Sequence, residues 1–205
     1  MYHCGVAPRF KRQFFFGCLY SGGAGVQPSC WPLFGGSIVS GGQVLRGLAG
    51  GAGEFGHVSI DPDGPLCRCG NRGCLELGAS YGQPLRLLSR AHGRDLTIAD
   101  AVALAQAGDA GALRIIDDMA EVAGRGLAII ASVLNPPLVL VSGPLVAAGR
   151  LLFDPLAASF DKHSLLKVRE LTEPQRTRFL PARLNDKDVV LGAVGLVLRH
   201  HGRLG

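Results

Sequence analysis

The chain has 205 residues, 47% of them hydrophobic, which is ample for one large or two small cored domains and excludes wholesale disorder. Glycine (30) and proline (12) form about a fifth of the sequence without a collagen-like period, so a folded but loop-rich chain is expected. The net charge is +5, and the basic residues do not gather on one helix face, which argues against a DNA-binding stripe in this chain.

Residues 1–32 hold Cys4, Cys18, Cys30, the single Trp and several Phe, without helical or strand period, and read as an atypical N-terminal segment. Phe14-Phe15-Phe16 follows basic residues, but Gly17 and Cys18 interrupt it before a signal-peptide core forms, so a cytoplasmic location is expected. From residue 33 the pattern changes. Ile38-Val39 and Val44-Leu45 flank Gly41-Gly42 as a hairpin would. Residues 47–80 read mostly as turn and loop, with a short strand at Val58–Ile60 before the turn Asp61-Pro62-Asp63-Gly64-Pro65.

Helices are expected over 78–92, from Thr97 as N-cap to Ala107, and from Ala110 to Leu134. In the last, Leu113, Ile116, Ala120, Ala123, Leu127, Ile130 and Leu134 recur at steps of three and four and form one stripe, suited to core or subunit packing. Pro136 ends that helix, and Leu138–Val141 reads as a buried strand running into Ser142-Gly143-Pro144. A helix over 145–163, a strand near Thr177–Leu184 and a closing helix near Val189–His200 complete a layered α/β pattern. The longest apolar runs fall well short of the roughly 20 residues that span a bilayer, so no membrane association is expected.

The chemistry concentrates in His57, Cys67, Cys69 and Cys74, four soft-metal ligands within eighteen residues. Three thiolates and an imidazole complete a tetrahedral Zn²⁺ shell with no open position, so the ion would be structural. Gly70 and Gly73 suit the tight turns that wrapping sulfurs about an ion demands, and Arg68 and Arg72 would favour the thiolate form. Ordinary buried thiols and a disulfide are the competing explanations; the lack of a secretory segment favours metal.

Gly53-Glu54-Phe55-Gly56-His57, followed by Cys67-x-Cys69-Gly70-x-x-Gly73-Cys74-x-Glu76, resembles the signature of the ROK family (repressors, open reading frames and sugar kinases). The resemblance implies an actin-like (ribonuclease H-like) ATPase lobe, incomplete, over 33–205, with the zinc and sugar segment at 47–80. It also implies a structural zinc on His57, Cys67, Cys69 and Cys74, and contacts from Glu54, His57 and Glu76 to a sugar or amino sugar. The chemistry suits these residue types, because ionised carboxylates accept from neighbouring hydroxyls while one imidazole nitrogen binds metal and the other faces outward. Val139–Gly149 is similar to the family's strand–glycine–helix segment beside ATP, which makes Gly143 and Gly149 candidate nucleotide contacts; a plain packing turn accounts for them as well. Leu191–Gly195 is similar to the family's small-residue helix.

Departures from the family pattern bear on function. ROK kinases carry an Asp-x-Gly-x-Thr phosphate hairpin and an Asn-Asp pair whose Asp is the general base, and neither lies ahead of the zinc segment; residues 1–32 contain no Asp or Glu, and Asn185-Asp186 comes too late. A Gly-x-Gly-x-Gly-Ile-Val loop is replaced by Leu33-Phe34-Gly35-Gly36-Ser37-Ile38-Val39, losing glycines that let backbone amides approach phosphate. The leading expectation is therefore the sugar-sensing lobe of a ROK transcriptional regulator, with no catalytic residue and no DNA-binding head of its own, reaching DNA only through a longer chain. The alternative is an ATP-dependent hexose kinase, glucokinase-like and requiring ATP and Mg²⁺, or a truncated remnant of one. A homodimer is compatible with either.

Overall fold

A computed structural model of the chain describes residues 34–40, 43–165 and 176–182, together with the backbone of 15–18. Among these residues five strands form one sheet in the order β3-β2-β1-β4-β5: β1 Phe15–Cys18, β2 Gly36–Ser40, β3 Gln43–Val44, β4 Leu138–Val141 and β5 Arg178–Pro181. β1–β2 and β2–β3 pair antiparallel, whereas β1–β4 and β4–β5 pair parallel. Among the described residues five α-helices accompany them: α1 Leu75–Ala79, α2 Gly82–Ala91, α3 Ile98–Gln106, α4 Ala110–Leu134 and α5 Arg150–His163.

The central strand β1 lies inside residues 1–32, where the sequence showed no strand period. A strand with neighbours on both edges need not alternate apolar and polar residues, so Phe15-Phe16-Gly17-Cys18 carried no readable signal. The expected hairpin is present: the ladder pairs Val39 with Val44 and Ser40 with Gln43, as a loop at 41–42 requires. The closing helix near 189–200, Leu191–Gly195 and Asn185-Asp186 fall outside the described residues.

Several elements differ from their sequence reading. The helix expected over 78–92 divides into α1 and α2, with Ser80 extended between them. Pro84 lacks the N–H that would bond the Ser80 carbonyl, so a continuous helix loses its ladder there. The helix expected over 145–163 is a 3-10 turn at Pro144–Ala148 followed by α5, with Gly149 between them at φ +56°, ψ −127°. The short strand expected at Val58–Ile60 reduces to one bridge, Ser59 with Cys74. Its partner chain passes through Gly73 in the left-handed region, and a strand ladder cannot continue across that turn.

Other elements match closely. Thr97 caps α3 in a reciprocal box, accepting from the Asp100 N–H at 3.1 Å while the Asp100 carboxylate accepts from the Thr97 N–H at 2.8 Å. α4 ends on Asn135 at φ 42°, a left-handed cap that asparagine tolerates, before Pro136 starts the approach to β4. The α4 stripe is spent inside this chain: Ile116, Ala120, Ala123, Leu127 and Ile130 are buried in the main core, with Leu113 and Leu134 partly buried against it. β4 serves both layers, Val139 and Val141 joining the helical core while Leu138 packs with Val39 on the opposite face. Ser159 locks α5 to α4 by donating its hydroxyl to the Glu121 carbonyl at 2.6 Å. Among the described residues no helix is long and apolar enough to cross a membrane.

Candidate functional site

The loop between β3 and α1 is held together by its own backbone. The 3-10 turn Phe55–His57 closes through the His57 N–H donating to Glu54 O at 3.1 Å. The turn lies against the chain entering β2: a Cβ at Gly56 would stand 2.0 Å from Phe34 O and 3.3 Å from Glu76 Cβ, so only glycine permits this approach. The cysteine segment folds back on the turn, with Ile60 N–H donating to Gly73 O and Leu75 N–H to Val58 O, both at 2.9 Å. Within it, Cys67 N–H donates to Asn71 O at 2.7 Å and Gly70 N–H to Cys67 O at 3.0 Å. Gly70 and Gly73 take φ of +93° and +58°, as their expected role in tight turns requires.

These turns bring His57, Cys67, Cys69 and Cys74 together, their ligand atoms all within 4.8 Å of one another. Cys69 Sγ and Cys74 Sγ are 3.5 Å apart, and Cys67 Sγ is 3.6 Å from His57 Nδ1. Sulfurs about 2.3 Å from a tetrahedral Zn²⁺ stand about 3.8 Å from one another, so the cluster has the dimensions and donor chemistry of a zinc site. The cysteines are free, with Cys67 and Cys74 buried and Cys69 exposed. Burial pushes the Cys74 thiol up to about 12 and raises that of Cys67 as well, which favours the protonated form of these two when metal-free. The Cys69 thiol is lowered, first by a hydrogen bond from the Asn71 backbone. A bound cation would reverse the penalty at the buried pair, because thiolate is the ligating form.

Glu76 sits in the same cluster. Its residue is 7% exposed, and Oε1 accepts from Cys67 Sγ at 3.2 Å and lies 3.6 Å from His57 Nδ1. Arg68 reaches across to it, Nε donating to Oε1 at 3.3 Å and Nη2 to Oε2 at 3.4 Å. Arg68 is engaged by Glu76, which itself lies against Cys67, and Arg72 donates to the Gly64 carbonyl at 3.3 Å. Glu54 precedes the 3-10 turn and is exposed.

The sequence model of the ROK family matches residues 34–200. The chain belongs to the ROK family. It is 34% identical over 179 residues to a glucokinase of Halalkalibacterium halodurans, covering 80% of this chain and 52% of that protein. It is 32% identical over 154 residues to the DNA-binding transcriptional repressor Mlc of Escherichia coli, covering 71% of this chain and 38% of the repressor. Among solved structures, a ROK glucokinase from Streptomyces griseus in complex with glucose and AMPPNP superposes with a TM-score of 0.74 at 28% identity, over 90% of this chain and 60% of that one. The chain spans about half the length, or less, of the curated relatives it matches. Its relatives thus include both ROK kinases and ROK repressors.

Of the ROK signature residues read from sequence, the structure gathers His57, Cys67, Cys69, Cys74 and Glu76 in one cluster and places Glu54 at the N-cap of the 3-10 turn that carries His57. Gly143 and Gly149 bracket the turn after β4, at φ +113° and +56°; their recorded bonds are those of a turn, such as Val146 N–H to Gly143 O at 3.1 Å. Arg68 meets the cluster through Glu76. Its position between two cysteines suggested a thiolate counter-ion, and nothing in the spacing revealed that Glu76, eight residues on, would fold back within reach.

Proposed function

We propose that this chain is the sugar-sensing lobe of a ROK-type regulator, built around a structural zinc on His57, Cys67, Cys69 and Cys74. The observation that carries this reading is the convergence of four ligand atoms within 4.8 Å beside a buried carboxylate. Zinc supplies a crosslink there, tying the His57 turn to the cysteine segment; with four protein ligands it has no open position for hydrolytic chemistry. His57 directs Nδ1 toward the sulfurs, which leaves Nε2 for a hydroxyl. Glu54 and Glu76 accept hydrogen bonds from neighbouring hydroxyls of a hexose or N-acetylhexosamine.

Within the ROK family, sensing is favoured over catalysis by the entry to β2. The Gly36 N–H donates to Gly53 O at 3.0 Å, so this amide is committed to protein rather than to phosphate. A kinase reading, with ATP and Mg²⁺ and with Gly143 and Gly149 near the nucleotide, is favoured by the 34% identity to a glucokinase.

Calorimetry with glucose and N-acetylglucosamine, alongside elemental analysis, tests the proposal. About one zinc per chain and sugar heats that vanish in Glu54→Ala are expected. Metal-free protein, or equal heats for both proteins, refutes it. Sugar-dependent ATP turnover in a coupled assay would select the kinase reading instead.

A further inference from the structure

The Arg68–Glu76 pair deepens the zinc reading and rests on it. Glu76 is the sole buried acidic side chain among the described residues, and its Oε1 lies 3.2 Å from a sulfur that must be anionic to ligate metal. A buried carboxylate against a thiolate is a like-charge contact that a low-dielectric setting makes costly. Both oxygens of that carboxylate receive donors from one guanidinium, the fork arrangement in which arginine holds a carboxylate in a fixed plane. Arg68 is half exposed, so its own charge keeps contact with solvent while its fork reaches inward.

We propose that Arg68 is a positioning residue: it orients the Glu76 carboxylate and supplies the counter-charge that lets this carboxylate lie against the zinc-binding cysteines. Without it, Glu76 repels the Cys67 thiolate and loosens the metal. Through Glu76, Arg68 also fixes which lone pairs remain free for a sugar hydroxyl.

The test is the rate at which zinc passes from the loaded protein to a coloured chelator in excess. Arg68→Gln should release zinc about 10-fold faster than wild type, in the range seen when partners of metal ligands are removed. The double variant Arg68→Gln with Glu76→Gln should return to within about threefold of wild type, because the repulsion is gone. Arg68→Lys, keeping charge without the fork, should fall between. Should Arg68→Gln fold poorly, the Arg68→Lys rate and the double variant still decide the matter. Release from Arg68→Gln at the wild-type rate overturns the inference, as does equally fast release from the double variant, which would mean that Arg68 acts only as packing. A wild-type protein that holds no zinc overturns the zinc reading and this inference together.

Discussion

Gly70 and Gly73 give a controlled comparison of backbone strain with steric blockage inside the cysteine loop. Both have positive φ, +93° and +58°, so alanine at either meets the penalty for a side chain in that region, about 1–2 kcal/mol. They differ in surroundings. A Cβ on Gly70 meets nothing within 4 Å, whereas one on Gly73 would stand 1.7 Å from Asp61 O, 2.5 Å from Asp61 C and 2.9 Å from Asp61 Cα. All three obstacles are backbone, so no rotamer change relieves them. Separating the strands of the loop also strains the Ile60 N–H bond to Gly73 O and the Gly73 N–H bond to Pro65 O, both 2.9 Å. Such overpacking adds about 1–3 kcal/mol, which puts Gly73→Ala at about 2–5 kcal/mol and Gly70→Ala at about 1–2 kcal/mol. Urea unfolding followed by circular dichroism at fixed zinc concentration measures both, with zinc content determined on the same samples. Gly73→Ala should also lose metal, since the displaced segment carries Cys74. Losses equal to within about 0.5 kcal/mol would refute the claim that the Asp61 backbone, rather than φ alone, demands glycine at 73.

Leu75 opens α1 with no exposed surface, next to Cys74, so Leu75→Ala should cost about 3 kcal/mol and lower the urea midpoint without altering the metal ligands; a midpoint unchanged from wild type would contradict the packing described. Asp100 is held below its ordinary carboxyl range first by the Thr97 side chain and then by the Thr97 backbone N–H. A carboxyl with a depressed folded-state pKa stabilises above its unfolded value, so this contribution is present at neutral pH and is lost as pH falls through the lowered pKa. The protection of first-turn amides of α3, corrected for the intrinsic pH dependence of exchange, should therefore fall on acidification in wild type and fall less in Thr97→Ala, which keeps the backbone N–H but loses the hydroxyl, and identical profiles would exclude the Thr97 side chain as its source.

Legibility from sequence followed the range of the interactions. Thr97 and Asp100, three residues apart, announced a helix start that the capping box then made; the α4 stripe announced a buried face because its period comes from local geometry. The candidate ligand set was legible because each donor's chemistry is carried by its residue type, and the glycines nearby signalled tight turns. Less local features were misread. Val58–Ile60 has strand-like residues, but its partner proved to be the turning segment at Gly73–Cys74 rather than the sheet. The 78–92 and 145–163 helices were each read through a break that a proline or glycine enforces.

By itself the sequence determined the α/β layering, the long helix, and the identity of four candidate metal donors, because propensity, period and side-chain chemistry are properties of residues and short spacings. Only the tertiary structure decided that Phe15–Cys18 lies at the centre of the sheet between β2 and β4, and that Arg68 clamps Glu76 rather than a cysteine. Those outcomes depend on where distant segments meet, and a charge or an apolar run is indifferent to its partner until folding brings one within reach.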